Sequence, residues 1–240
     1  NPEQKQTRLM KELQEKLHLP KLPYQIECFD NSNVSGTDAV AACVVFKALK
    51  PSKKDYKHYN IKTVTGPDDY ASMKEVVGRR YTRLLEEQEP LPDLIIADGG
   101  KGQMEVIRQV IQDELNLDIP IAGLAKDNRH RTNELLYGFP PLHVALKTDS
   151  ELFHVLTHIQ DEVHRFAIEF HRNKRSKRAL QSELDTIKGI GPKAREALLN
   201  TLKSVKKISE ATLEQLAEAV GPAKAAIVYN HFHPQDAPSE

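Results

Sequence analysis

Asp30 and Asp98 hold corresponding places in the sequence. Each closes a short run with apolar character, residues 24–29 and 93–97, and each is followed by flexible polar chain, Asn31-Ser-Asn-Val-Ser-Gly36 and Gly99-Gly-Lys-Gly102. Neighbouring strands in a sheet bring such ends together, and two carboxylates at close range repel. A divalent cation between them removes that cost and supplies a Lewis acid for phosphoryl chemistry. A strand-end Asp is equally an ordinary turn former, and residue type alone leaves both readings open. His164, in Gln160-Asp-Glu-Val-His-Arg-Phe-Ala167, falls at the edge of a helical apolar stripe, where an imidazole reaches a sheet while staying partly wet. His154 and His158 form an i, i+4 pair on the polar face with Asp161 and Arg165. They lack a third converging ligand and read as solvated. His171 shares the edge position of His164 and belongs with the basic segment after it.

Two glycine-rich turns suit phosphate. Gly99-Gly-Lys-Gly102 leads from a strand into a helix and offers backbone N–H groups and Lys101 to an active-site phosphate. It lacks the Gly-x-x-x-x-Gly-Lys-Ser/Thr spacing of a nucleotide loop. Gly189-Ile-Gly191, followed by Pro192, Lys193 and Arg195, is more specific. Its glycines permit close backbone approach, the next helix supplies N–H donors, and the hairpin reads sugar-phosphate rather than base edges. A glycine C-cap before a helix-starting proline explains the turn but not the flanking cations. Gly221 and Lys224 repeat the pattern about 31 residues on.

These residues need elements to hold them. Residues 3–18 place Leu9, Met10, Leu13 and Leu17 on one helical face. Residues 24–30, 38–47 and 55–64 read as three strands joined by short turns, an antiparallel meander. Gly66-Pro-Asp-Asp69 starts a helix striped by Tyr70, Met73, Val76, Val77, Tyr81 and Leu84, and Pro90-Leu-Pro92 ends it. Residues 93–98 and 119–125 are buried strands around a helix reaching Leu115, a β-α-β unit with a parallel crossover. A meander followed by β-α-β predicts an α/β domain with one mixed sheet. Residues 126–149 read as irregular chain or a small hairpin at Tyr137-Gly-Phe-Pro-Pro141. Ser150 caps a helix to about Arg172, striped by Leu152, Val155, Leu156, Ile159, Val163, Phe166 and Phe170. The expected layout is a lead-in helix over 1–20, the α/β domain over 21–173, a basic linker over 174–182, an all-helical domain over 183–233 and a fraying tail over 234–240.

The formal net charge is zero, but its distribution is uneven. Residues 165–207 hold twelve Lys/Arg against four Asp/Glu, a net +8, leaving −8 elsewhere. Arg172, Lys174, Arg175, Lys177 and Arg178 are its densest part, and the segment suits a polyanion. The longest apolar run, residues 39–46, is far short of the roughly twenty residues of a membrane span. The polar first residues carry no secretory signal, and two cysteines fit a reducing cytoplasm rather than a disulfide scaffold. With no initiating Met, the chain reads as part of a longer protein.

Seven motifs then occur in order: Phe29-Asp-Asn-Ser-Asn33, Gly66-Pro-Asp-Asp-Tyr-Ala-Ser-Met73, Arg79-Arg-Tyr81, Ile96-Ala-Asp-Gly-Gly-Lys-Gly-Gln103, Gly123-Leu-Ala-Lys126, Asp161-Glu-Val-His-Arg-Phe-Ala167 and Gly189-Ile-Gly-Pro-Lys193. Together they closely resemble the C-terminal half of the UvrC family, the incision subunit of bacterial nucleotide excision repair, over residues 21–233. The resemblance implies an RNase H-like endonuclease domain followed by a tandem helix-hairpin-helix domain. It implies a catalytic set on Asp30, Asp98 and His164, a further important acid at Asp69, and Mg²⁺ or Mn²⁺ as cofactor. The implied reaction cuts the damaged strand on the 5′ side of a lesion in damaged, bubble or branched DNA. In the family the 3′ cut belongs to a separate N-terminal nuclease domain. That domain, like the segment that binds the damage-loading partner UvrB, lies outside the match. The chain is expected to be monomeric, cytoplasmic and unattached to membrane.

Two positions depart from the family. Asn33 stands where many members carry His, so nothing catalytic is placed there. Val220-Gly-Pro-Ala-Lys224 lacks a full Gly-x-Gly. Two other classes compete: a DNA-binding module with an inactive nuclease fold, against which the intact Asp30, Asp98 and His164 set argues, and a nucleotide-dependent enzyme built on Gly99–Gly102, which leaves the helical tail unexplained.

Overall fold

Alternating side chains on the central strands feed two separate cores. The computed structural model describes residues 1–34, 38–64, 68–126 and 133–234, with backbone alone at 32–34, 38–39, 133, 171, 173–177, 180–181 and 205. The chain divides into two units, Asn1–Phe170 and His171–Glu240.

Among the described residues, the first unit holds one eight-stranded mixed sheet. Its strands are β1 (Gln25–Val34), β2 (Asp38–Lys47), β3 (Lys50–Pro51), β4 (Lys57–Asn60), β5 (Leu94–Asp98), β6 (Ile121–Lys126), β7 (Asn133–Tyr137) and β8 (Leu142–Val144). The order is β3-β2-β1-β5-β6-β7-β8, with β4 also paired to β2. β1 runs antiparallel to β2 and parallel to β5; β5 and β6 are parallel, and β6, β7 and β8 are antiparallel in turn. The expected hairpin about residues 137–141 is the β7–β8 connection.

Helices α2 (Asp69–Glu86) and α3 (Lys101–Arg108, continued by a π-helical segment Gln109–Glu114) cover one face. Their Met73, Val76, Val77, Met104 and Ile107 pack on Phe29, Ile95 and Ala97 of the strands. The other face carries α1 (Pro2–Leu17) and α4 (Glu151–Asp185). Leu9, Leu13, Leu17, Leu152, Leu156, Ile159 and Val163 meet Ile26, Cys28, Leu94 and Ile96 there. Each fully buried aliphatic side chain contributes about 1.5–3 kcal/mol.

A carboxylate lies inside the first face. Glu27 is fully buried and receives Arg80 Nε at 2.7 Å, Arg80 Nη2 at 3.0 Å and the Tyr81 hydroxyl at 2.8 Å. That cluster bolts α2 to β1.

Three boundaries differ from expectation. β1 does not end at Asp30: its ladder with β2 continues through Asn31↔Ala41 to Val34↔Asp38, and cross-strand pairing outweighs the turn preference of Asn-Ser-Asn. The strand expected over 55–64 is confined to β4, because Ser52 closes a 3₁₀ turn over Lys53–Asp55 through its hydroxyl to Asp55 at 2.6 Å. The helix expected to stop near Arg172 runs to Asp185, so the basic stretch is helical. No Gly or Pro interrupts residues 172–185, and Lys, Arg, Ala, Leu, Gln and Glu all favour helix. The turn residues Ser35 and Gly36, the Gly66-Pro67 helix lead and most of the tail lie outside the described residues.

The second unit is all-helical, as expected: after the end of α4 come α5 (Pro192–Leu202), α6 (Val205–Glu210), α7 (Leu213–Val220) and α8 (Pro222–Phe232). Leu184, Ile187, Ile190, Leu198, Ile208, Leu216, Ala225 and Val228 form its core. No helix among the described residues is long and apolar enough to cross a membrane.

Candidate metal centre and nucleic-acid interface

The parallel register of β1 and β5 brings the two aspartates together. Phe29 pairs with Ala97, and Asp30 and Asp98 are the next residues on each strand. The period of two carries Ile26, Cys28 and Asp30, and Leu94, Ile96 and Asp98, onto the face that α4 covers. The carboxylates therefore terminate an apolar surface. Their side chains are only 9% and 10% exposed.

Helix α4 supplies the third group. Burial of Leu156, Ile159, Val163 and Ala167 sets its rotation, which turns His164 toward the strands. His164 Nδ1 lies 2.9 Å from Asp30 Oδ2, and its Nε2 lies 3.0 Å from Asp98 Oδ2. One turn earlier, buried Gln160 donates to Asp98 Oδ1 at 2.7 Å and to the Leu124 carbonyl at 3.4 Å. This leaves the other Asp98 oxygen facing the imidazole. Contacts on either side hold the helix. Tyr56 donates to Glu162 at 3.0 Å, while the His58 ring stacks on Phe166 at 3.6 Å between centroids and on Phe170 at 4.3 Å.

The electrostatics are those of a site short of positive charge. Burial, then the Asp30 carboxylate, pushes Asp98 up to about 6. The hydrogen bond to Asp30, opposed by burial and reinforced by the charge of Asp98, raises His164. Both ring nitrogens face carboxylate oxygens, which favours the protonated ring. One ligand atom from each of Asp30, Asp98 and His164 lies within 4.8 Å of the others, the one such metal-capable group among the described residues. Two carboxylates with one imidazole suit a divalent cation. Cys28 precedes Asp30 on the same face of β1, and burial, then the charges of Asp98 and Asp30, pushes its thiol well up.

The structure leaves Asp69 and Lys101 outside this cluster. Asp69 is exposed in the first turn of α2, its carbonyl receiving Asn31 Nδ2 at 2.6 Å. Lys101 is exposed at the first position of α3, whose N-cap Gly100 makes no side-chain cap. The uncapped N–H groups there favour a phosphate. Gln160 was not among the residues singled out from sequence; its i, i+4 spacing to His164 is the signal that marks it. His154 and His158 are exposed, the latter edge-on to Phe46.

In the second unit, Gly189 has φ +93°, and Gly191 is the N-cap of α5. Gly221 combines both features, with φ +86° at the N-cap of α8. A Cβ at Gly191 or Gly221 would meet nothing within 4 Å, so both turns are open to close approach. Lys193 and Lys224 are exposed beside them. Arg195 is engaged elsewhere, paired with Asp185 at 3.1 Å and partly buried. Arg172 and Arg178 are exposed on α4; the side chains of Lys174, Arg175, Lys177 and His171 lie outside those described.

Residues 14–168 match the family described as UvrC RNAse H endonuclease domain, and residues 182–231 match the SAM-like helix-hairpin-helix tandem. The UvrABC system protein C of Bacteroides thetaiotaomicron is 69% identical over 228 residues, covering 95% of this chain and 37% of that protein. Its counterpart in Streptococcus uberis is 56% identical over 204 residues, covering 85% and 34%. The chain thus spans little more than a third of these curated relatives. Among solved structures, an endonuclease V of Streptomyces avermitilis aligns with TM-score 0.36 at 18% identity over 61% of this chain and 72% of that one, too remote a likeness to carry an argument.

Proposed function

The chain belongs to the UvrC family, and on that footing we propose that its first unit is a divalent-metal-dependent endodeoxyribonuclease making the 5′ incision beside a lesion in nucleotide excision repair. The observation that carries this reading is the convergence of Asp30, Asp98 and half-exposed His164, the two aspartates standing side by side on parallel strands. The assignment to the 5′ side comes from the family resemblance of the motifs.

Asp30 and Asp98 would hold the cation, Mg²⁺ or Mn²⁺, with His164 completing the donor set. When bound, that ion supplies Lewis-acid stabilisation of the phosphate and a nucleophilic water at neutral pH. Gln160 keeps Asp98 oriented by occupying its Oδ1. His164 would enter the set as neutral imidazole, its extra ring proton leaving to solvent rather than to the two carboxylates it faces. The α3 N-terminus and Lys101 draw the phosphate toward the end of β5.

In the second unit, the turns at Gly189, Gly191 and Gly221, with Lys193 and Lys224, grip the sugar-phosphate backbone without reading sequence. Damaged, bubble or branched DNA is the substrate class, and the longer protein meets UvrB on it in the cytoplasm. Nicking of an end-labelled bubble duplex with Mn²⁺, with EDTA, and by Asp98→Ala tests the function. Metal-dependent cutting 5′ of the bubble, absent from the variant, is expected. Equal cutting by wild type and variant overturns the proposal.

A further inference from the structure

Tyr70 is used neither by the metal centre nor by the hairpins. A single exposed aromatic needs no explanation, but this one is seated. It is 54% exposed in the first turn of α2, and two anchors fix it. The carbonyl before it, on Asp69, is held by Asn31, the residue after Asp30. Its ring lies over Gly102, four residues after Asp98. A Cβ at Gly102 would stand 2.6 Å from Tyr70 Cζ and 2.8 Å from Cε1, and would overlap the hydroxyl oxygen. Gly102 has no positive φ to excuse it, and glycine inside a helix costs up to about 1 kcal/mol against alanine. The space it leaves is filled by the ring.

We propose that Tyr70 is a positioning residue for the strand to be cut, its exposed face stacking on a nucleobase next to the scissile phosphate. The proposal deepens the nuclease reading and rests on it. Stacking is indifferent to sequence because every base presents a π-face, which suits an enzyme directed by damage rather than by bases. A ring already seated on α3 loses little freedom when DNA arrives. Its two anchors tie it to Asn31, the residue after Asp30, and to Gly102, the residue after exposed Lys101 in the turn that follows Asp98.

The same contact supplies a test. Gly102→Ala drives the ring off its seat by swinging only the far end of one side chain, so it mimics Tyr70→Ala without disturbing the fold. The full 240-residue chain is irradiated on bubble DNA carrying 5-iodouracil in the unpaired strand, and crosslinks are mapped by peptide mass spectrometry. Anisotropy on the same bubble compares wild type, Tyr70→Phe, Tyr70→Ala, Gly102→Ala and the Tyr70→Ala/Gly102→Ala double variant, with Mn²⁺ affinity of each followed by calorimetry. The expected result is a crosslink at Tyr70 and about tenfold weaker binding by Tyr70→Ala and Gly102→Ala. Tyr70→Phe stays near wild type, the double variant is no worse than either single one, and Mn²⁺ affinity is unchanged. Crosslinks elsewhere with Tyr70→Ala binding within twofold of wild type, or additive losses in the double variant, overturn the inference. Failure of the nuclease reading shows separately, as absence of metal-dependent cutting, and leaves the crosslink result standing.

Discussion

At the scale of the residue, the site is three side chains whose charges do not balance. Asp98 holds its proton up to about pH 6, above an unfolded carboxyl near 4, and His164 is raised as well. Both groups therefore bind more protons folded than unfolded. Raising the pH removes stability, from about pH 4 upward for Asp98 and through the neutral range for His164. A divalent cation would take the deprotonated set. Calorimetric melts should show a larger Mn²⁺-induced rise in Tm at pH 8 than at pH 5, and Asp98→Asn should remove the difference; a rise equal at both pH values would contradict this. Asp30→Ala, Asp98→Ala and His164→Ala should each lower single-turnover cutting by at least about a thousandfold. Gln160→Ala should lower it about 10–100-fold by freeing Asp98 to turn, and wild-type rates in that variant would remove Gln160 from the site. Asp30 and Asp98 were legible because each stands where an apolar run meets polar glycine- or asparagine-rich chain. Gln160 and Glu27 were not, since Gln on a helix is ordinarily solvated, and the partner of Glu27 lies 53 residues away.

At the scale of the element, α2, α3 and α4 must keep their seats on β1, β5 and β6. Arg80→Met leaves Glu27 charged, buried and unpaired, and should cost about 3–5 kcal/mol in urea unfolding. Replacing both by Met should recover most of that, and a double variant as unstable as the single one would show that packing, not charge, was lost. Gly123 on β6 lets α3 close in. A Cβ there would stand 2.7 Å from Met104 Sδ and 2.9 Å from the Gly99 carbonyl oxygen, so Gly123→Ala should cost about 1–3 kcal/mol by the same measurement. An unchanged midpoint would mean that α3 shifts freely. The order of elements was readable from periodicity, because β5 and β6 are uninterrupted apolar runs and α2 and α4 carry clean helical stripes. Their ends were less so. β1 continues past Asp30 because β2 lies beside it, and α4 continues past Arg172 because cations do not break helices.

At the scale of the whole molecule, zero net charge conceals a basic segment joined to an acidic remainder. If that segment and the turn at Gly221 grip phosphates, bubble affinity falls steeply with salt. Lys193→Ala and Lys224→Ala should each shallow the logarithmic slope by about one, whereas an unchanged slope in both would place the DNA elsewhere. The proposed activity of the first unit depends on a cation sitting among Asp30, Asp98 and His164. Anomalous diffraction from crystals soaked in Mn²⁺ tests that most directly. The account predicts one strong peak coordinated by an oxygen of each aspartate and a nitrogen of His164, lost in Asp98→Ala. A site without a peak, with His164 still bridging the two carboxylates, would contradict it.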